Sequence, residues 1–86
     1  MKQVELEEII LFLQNSIAAE TKLDSSQINI DQSLGAFGLD SINSVYILHQ
    51  LEDFLQIELS ALVFWDYPTV RSLSSYISQE ILKKNG

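Results

Sequence analysis

Apolar residues recur at three- and four-residue spacing in three stretches of the chain, and a long run of polar turn formers separates the first stretch from the second. Leu6, Ile9, Ile10, Leu13 and Ile17 make the first stripe, with Leu11 and Phe12 beside it to widen the buried face. Glu5, Glu7 and Glu8 stand where the positive end of a helix dipole favours acid, so the spacing predicts a helix over about residues 4–20. A second stripe, Ile42, Val45, Leu48, Leu51 and Leu55, follows Asp40, whose carboxylate is placed to cap the N–H of Ile42 or Asn43; this predicts a helix over residues 41–55. Leu59, Leu62, Val63 and Phe64 suggest a short third helix. It must stop before Pro68, because the proline ring drives Tyr67 out of the helical region. Thr69 then caps a last amphipathic helix built on Val70, Leu73, Tyr76, Ile77 and Ile81, with Lys83 and Lys84 at its negative end before Asn85 and Gly86.

Between residues 21 and 40 the periodicity lapses, and Asp24, Ser25, Ser26, Asn29, Asp31, Ser33, Gly35 and Gly38 supply turn chemistry. Structureless connections longer than about 12–15 residues are uncommon in compact domains unless they have a function. Ile28, Ile30, Leu34, Phe37 and Leu39 read as apolar pins that hold this loop against the helices. Apart from Ile28-Asn29-Ile30 there is no strand-like alternation. The expected fold is therefore all-α, a bundle of three main helices and one short one.

A chain of 86 residues buries one modest core, so residues 1–86 are expected to form a single domain. With 47% hydrophobic residues and only three Gly and one Pro, the composition is that of a folded protein. The absence of cysteine removes disulfides and thiolate metal sites, so any thiol chemistry must be imported. The acidic start is unlike the basic region of a signal peptide, and no apolar run approaches the roughly 20 residues that span a bilayer, so a cytoplasmic protein with no membrane insertion is expected. The net charge of -7 matters through its placement: between residues 23 and 70 there is no Lys or Arg, while Asp24, Asp31, Asp40, Glu52, Asp53, Glu58 and Asp66 all fall there. Such a surface repels nucleic acid and suits a basic protein partner.

Candidate chemistry is sparse. A catalytic serine needs a base in hydrogen-bond reach, and the sole histidine, His49, lies eight residues beyond Ser41 on the same predicted helix, roughly 12 Å along its axis. The segment from residue 24 to residue 35 has the length of a calcium loop but places Ile28 and Gly35 at its fifth and twelfth positions, where oxygen ligands are required. What remains is Gly38-Leu39-Asp40-Ser41-Ile42, a serine opening an acidic helix after an anchored loop. An anion on Ser41 would meet the unsatisfied N–H groups of that helix start. On these five residues alone, a plain helix cap and a modification site fit equally well. Phe54, Phe64, Trp65 and Tyr67 are read as core and boundary packing in preference to an acyl-binding pocket.

The segment Leu34-Gly35-Ala36-Phe37-Gly38-Leu39-Asp40-Ser41-Ile42-Asn43-Ser44-Val45, with Leu51-Glu52 and Phe64-Trp65-Asp66-Tyr67-Pro68-Thr69-Val70, resembles the acyl carrier proteins, most closely those of polyketide synthases. The resemblance implies a four-helix bundle in which Ser41, flanked by Asp40, carries 4′-phosphopantetheine donated from coenzyme A by an Mg²⁺-dependent phosphopantetheinyl transferase. It implies a non-catalytic, monomeric carrier whose further partners are the acyl-loading, condensing and modifying enzymes of a polyketide or fatty-acid synthase. By the same resemblance Ile42, Val45, Tyr46, His49, Glu52 and Asp53 form the docking face. Tyr46 and His49 depart from the family's usual acidic and apolar residues there, so recognition should be less purely electrostatic; Ser60 replaces a common proline, which should affect only the start of the third helix. The alternatives are a peptidyl or aminoacyl carrier, which often shows Gly-Gly before the His-Ser or Asp-Ser pair, and a helical interaction domain without a prosthetic group.

Overall fold

Helix α1, Leu6–Thr21, begins at an N-cap glutamate. The Glu5 carboxylate accepts from the N–H of Glu8, and the Glu5 N–H donates in return to the Glu8 carboxylate at 3.3 Å. The acidic run placed by its charge near the dipole thus also closes the hydrogen bonds of the first turn. The helix ends where Lys22 turns into the left-handed region at φ 62°. The coordinates are a computed structural model that describes the backbone of residues 4–85 and the side chains of residues 4–83; the expected placing of Lys84 at the dipole end lies outside the described residues.

The other helices are α2 at Ser41–Leu55, α3 at Val63–Asp66 and α4 at Val70–Asn85. Among the described residues there is no strand, only an isolated bridge between Ser33 and Thr69, and the all-α bundle of three long helices and a one-turn fourth is what the periodicity predicts. The expected bounds of α2 hold, while α1 starts two residues later than expected. Tyr67 leaves the helical region at φ -128°, as Pro68 requires. At the start of α4, Thr69 and Ser72 cap each other: the Ser72 N–H donates to Thr69 Oγ1 at 3.1 Å and the Thr69 N–H to Ser72 Oγ at 3.2 Å.

Helix α1 packs on α4, on α2 and on the first turn of the loop. The core is Ile9, Leu13 and Ile17 from α1, Ile47, Leu48, Leu51 and Leu55 from α2, and Val70, Leu73, Ile77 and Ile81 from α4. Phe54 stacks on Phe12 and Tyr67 on Tyr76, each at 4.4 Å between centroids, which is the packing role expected of Phe54 and Tyr67. Four expectations are corrected. Leu6, placed in the first stripe, is 40% exposed at the open end of α1, and Leu11 is 58% exposed because residue 11 faces away from the Ile9–Leu13–Ile17 line. Ile42 and Val45 stand in solvent, and their places in the core are taken by Ile47 and Ile57, which the stripe omitted.

The loop from residue 21 to residue 40 is more ordered than its sequence suggests. It contains two short 3-10 turns, Ser25–Gln27 and Leu34–Phe37, the first capped by Asp24. Ile28 and Leu34 are buried and Ile30, Phe37 and Leu39 half-buried, so all five pins hold. The Gln14 side-chain amide donates to the Ile28 carbonyl at 2.9 Å. Farther along, the Arg71 N–H donates to the Ile30 carbonyl and the Leu34 N–H to the Pro68 carbonyl, at 2.9 and 2.7 Å. The loop is thereby fastened to the junction between α3 and α4.

Candidate functional site: Ser41 and the cleft beside it

Gly38 sets the approach to Ser41. Its φ of 84° lies in the left-handed region that a side chain disfavours, and its N–H closes the 3-10 turn on the Gly35 carbonyl at 3.1 Å. From there Leu39 dips into the protein and Asp40 is extended, so Ser41 is delivered as the first residue of α2. The Asp40 carboxylate accepts the Asn43 N–H at 2.8 Å, one of the two positions foreseen for the cap. The Asn43 side-chain amide in turn donates to Glu20 at 2.7 Å, tying this end of α2 to the end of α1.

Ser41 is exposed, and no hydrogen bond among the described residues engages its hydroxyl. By helix geometry the N–H groups of the first turn point outward beside it, where the macrodipole favours a negative group. A phosphodiester on Ser41 Oγ fits this place, since nothing has to be displaced to receive it. His49 is exposed two turns farther along the same helix, out of reach as a base.

Beside Ser41 opens a cleft of about 360 Å³. One bank is α2, with Asp40, Ser41, Ser44, Val45 and Leu48; the loop contributes Leu34, Gly35 and Leu39; the far bank is Ala61, Phe64 and Trp65. Most of these walls are apolar. Of the residues foreseen from sequence, Asp40, Ser41 and Val45 meet here, with Ile42 (77% exposed) adjoining and Tyr46 (53%) one residue beyond Val45. Glu52 and Asp53 are not part of it: they line a separate acidic depression with Gln56, Ile57 and Glu58. Glu52 is also partly committed, because its carboxylate accepts the Leu59 N–H at 2.8 Å.

The far bank holds Phe64 and Trp65, for which the sequence reading weighed a pocket and set it aside in favour of packing. Trp65 is 80% exposed and Leu62 64%, so Trp65 does not serve the packing role expected of it. The signal was available: α3 is one turn long, Val63 takes its buried side, and a single turn cannot turn three successive bulky residues inward.

Residues 12–77 match the model of the phosphopantetheine attachment site. The chain belongs to that family of carrier domains. The carrier is 35% identical over 69 residues, 80% of its length, to a phenolphthiocerol/phthiocerol polyketide synthase polypeptide of Mycobacterium tuberculosis, yet it spans only about 4% of that protein. Among solved structures it resembles a free-standing peptidyl carrier protein of Acinetobacter baumannii, with TM-score 0.85 and 30% identity, covering 90% of this chain and 96% of that one. It also resembles the HMG-ACPI domain of the CurA module from Lyngbya majuscula, with TM-score 0.85 and 32% identity, covering 100% and 87%. Among the described residues of the carrier, no helix is long and apolar enough to cross a membrane, and no three His, Cys, Asp or Glu side chains gather to hold a metal ion.

Proposed function

We propose that Ser41 is the residue that bears 4′-phosphopantetheine and that the chain is an acyl carrier of polyketide-type biosynthesis. The observation that supports this most is the placing of an exposed, unengaged serine hydroxyl at the capped start of α2, on the rim of an apolar cleft, in a chain of the attachment-site family. When bound, the group supplies the thiol that this cysteine-free chain lacks, and that thiol holds an acyl group as a thioester. The chain's own part is to present the Ser41 hydroxyl, to hold α2 rigid through the Asp40 cap and the Asn43–Glu20 bond, and to leave the surroundings open to enzymes.

In this reading the domain is a non-catalytic carrier and its partners do the chemistry: a phosphopantetheinyl transferase first, then acyl-loading, condensing and modifying enzymes. We read residues 1–86 as one monomeric domain acting in the cytoplasm. The curated relatives favour acyl over peptidyl cargo, and loading assays with acyltransferases against adenylating enzymes separate the two.

Intact-mass measurement tests the assignment. Incubation of the unmodified chain with coenzyme A and a promiscuous transferase should add about 340 Da, and Ser41→Ala should abolish the gain with helicity unchanged. A mass gain in the alanine variant would place the arm elsewhere.

A further inference from the structure

Nine large hydrophobic side chains are exposed among the described residues, and five of them, Ile42, Val45, Tyr46, Leu62 and Trp65, lie on the first two turns of α2 or on the α3 segment. The remaining four are scattered over α1, the loop and α4. Val45 and Trp65 stand on opposite banks of the Ser41 cleft, which brings the two groups to one surface. The most exposed is the indole of Trp65, at 80%. Tryptophan is the side chain with the largest apolar area to gain from being covered, and it is enriched among the few residues that dominate interface energies.

The charge around it is of one sign. Asp40 lines the cleft, Asp66 follows Trp65, and the cations nearest in sequence are Lys22 and Arg71, the latter paired with Asp31. An enzyme that makes a bond to Ser41 Oγ must bring its atoms to bonding distance of that oxygen. Ser41 and Trp65 line the same cleft, so an enzyme that covers its mouth to reach Ser41 has Trp65 within the area it covers.

From this we infer that Trp65 anchors the chain to the transferase that modifies Ser41, and that this enzyme offers the indole an apolar socket with a basic rim. The inference rests on the assignment of Ser41 proposed above. In this division of labour the indole holds the complex together, insensitive to salt, while the acidic surroundings steer the approach and weaken as salt rises.

Transferase kinetics on the unmodified chain provide the test. Trp65→Ala should raise KM for the carrier at least about tenfold with kcat within about twofold, and the ratio should persist at high salt. Trp65→Phe should recover most of the loss. The chain has a single tryptophan, so fluorotryptophan labelling gives one fluorine NMR signal, which should shift or broaden on adding transferase without coenzyme A. An unchanged KM for Trp65→Ala, or a signal unmoved at saturating transferase, overturns the proposal. If Ser41→Ala abolishes the mass gain while Trp65 proves indifferent, only the anchor is wrong; if Ser41→Ala still gains mass, the attachment site itself is wrong.

Discussion

Removing the Asp40 carboxylate should loosen the start of α2 by an amount that can be stated in advance. Asp40 accepts the Asn43 N–H at 2.8 Å and is exposed, so its replacement leaves no cavity and the loss is that of the cap alone. Replacing an Asp cap by Ala costs about 1 kcal/mol, within a range of about 0.5–2. For a domain of 60–100 residues each kcal/mol moves Tm by about 4–8 °C, so Asp40→Ala should melt roughly 4–8 °C below the parent. Asp40→Asn keeps the acceptor oxygen and should stay within about 2 °C, since Asn and Asp cap almost equally well. Thermal melts followed by circular dichroism, run side by side on the three proteins, are sufficient. If Asp40→Ala melts with the parent, the hydrogen bond does not hold the helix start. If Asp40→Asn falls as far as Asp40→Ala, the carboxylate charge matters and the cap geometry does not.

Ser74 is fully buried in α4 and its hydroxyl has no hydrogen-bond partner among the described residues, so Ser74→Ala should stabilise the fold by about 1 kcal/mol through removal of an unsatisfied group and better helix propensity. A lower urea midpoint for that variant would show that the hydroxyl is engaged. The Asp31 carboxyl is held below its ordinary value of 3.8, chiefly by its hydrogen bond to Arg71, and so contributes stability above that value that is lost as pH falls through the lowered one. The midpoints of the parent and of Asp31→Asn should therefore differ slightly at pH 6 and converge in acid; a gap that widens on acidification contradicts the pairing.

The second helix shows how far the sequence was legible. Its bounds follow from chemistry local to the chain: Asp40 caps it, and Gln56, at φ 58° with its N–H on the Glu52 carbonyl at 2.7 Å, closes it. Its buried face was less legible. Ile42 and Val45 share the periodicity of Leu48, Leu51 and Leu55, but spacing cannot report that the loop and α3 leave a gap opposite the first turns of α2. Ile47 and Ile57 were missed for the converse reason, as they become core only when α1 and α4 are in place. Gly38 and Asp40 were legible because a left-handed turn and a cap each demand particular residues, whereas Ser41 was singled out only by the family resemblance. Trp65 was not, since packing and display call for the same side chain.

That ambiguity bears on how a bundle this small works. Among the described residues fifteen buried hydrophobic side chains fill its core, and further apolar side chains at Ile42, Leu62 and Trp65 add nothing to folding while they stay in water. Local rules broken together in one place, with no gain to the fold, mark a surface kept for another molecule. The acidic residues nearby resolve the conflict this creates: like charges on every copy oppose association between copies, so apolar side chains can remain exposed at the cleft without driving the protein to aggregate. A neutral partner escapes that repulsion and a basic one is attracted. In the proposed function, charge thus selects which proteins reach the apolar surface, and the apolar surface decides how long they stay beside Ser41.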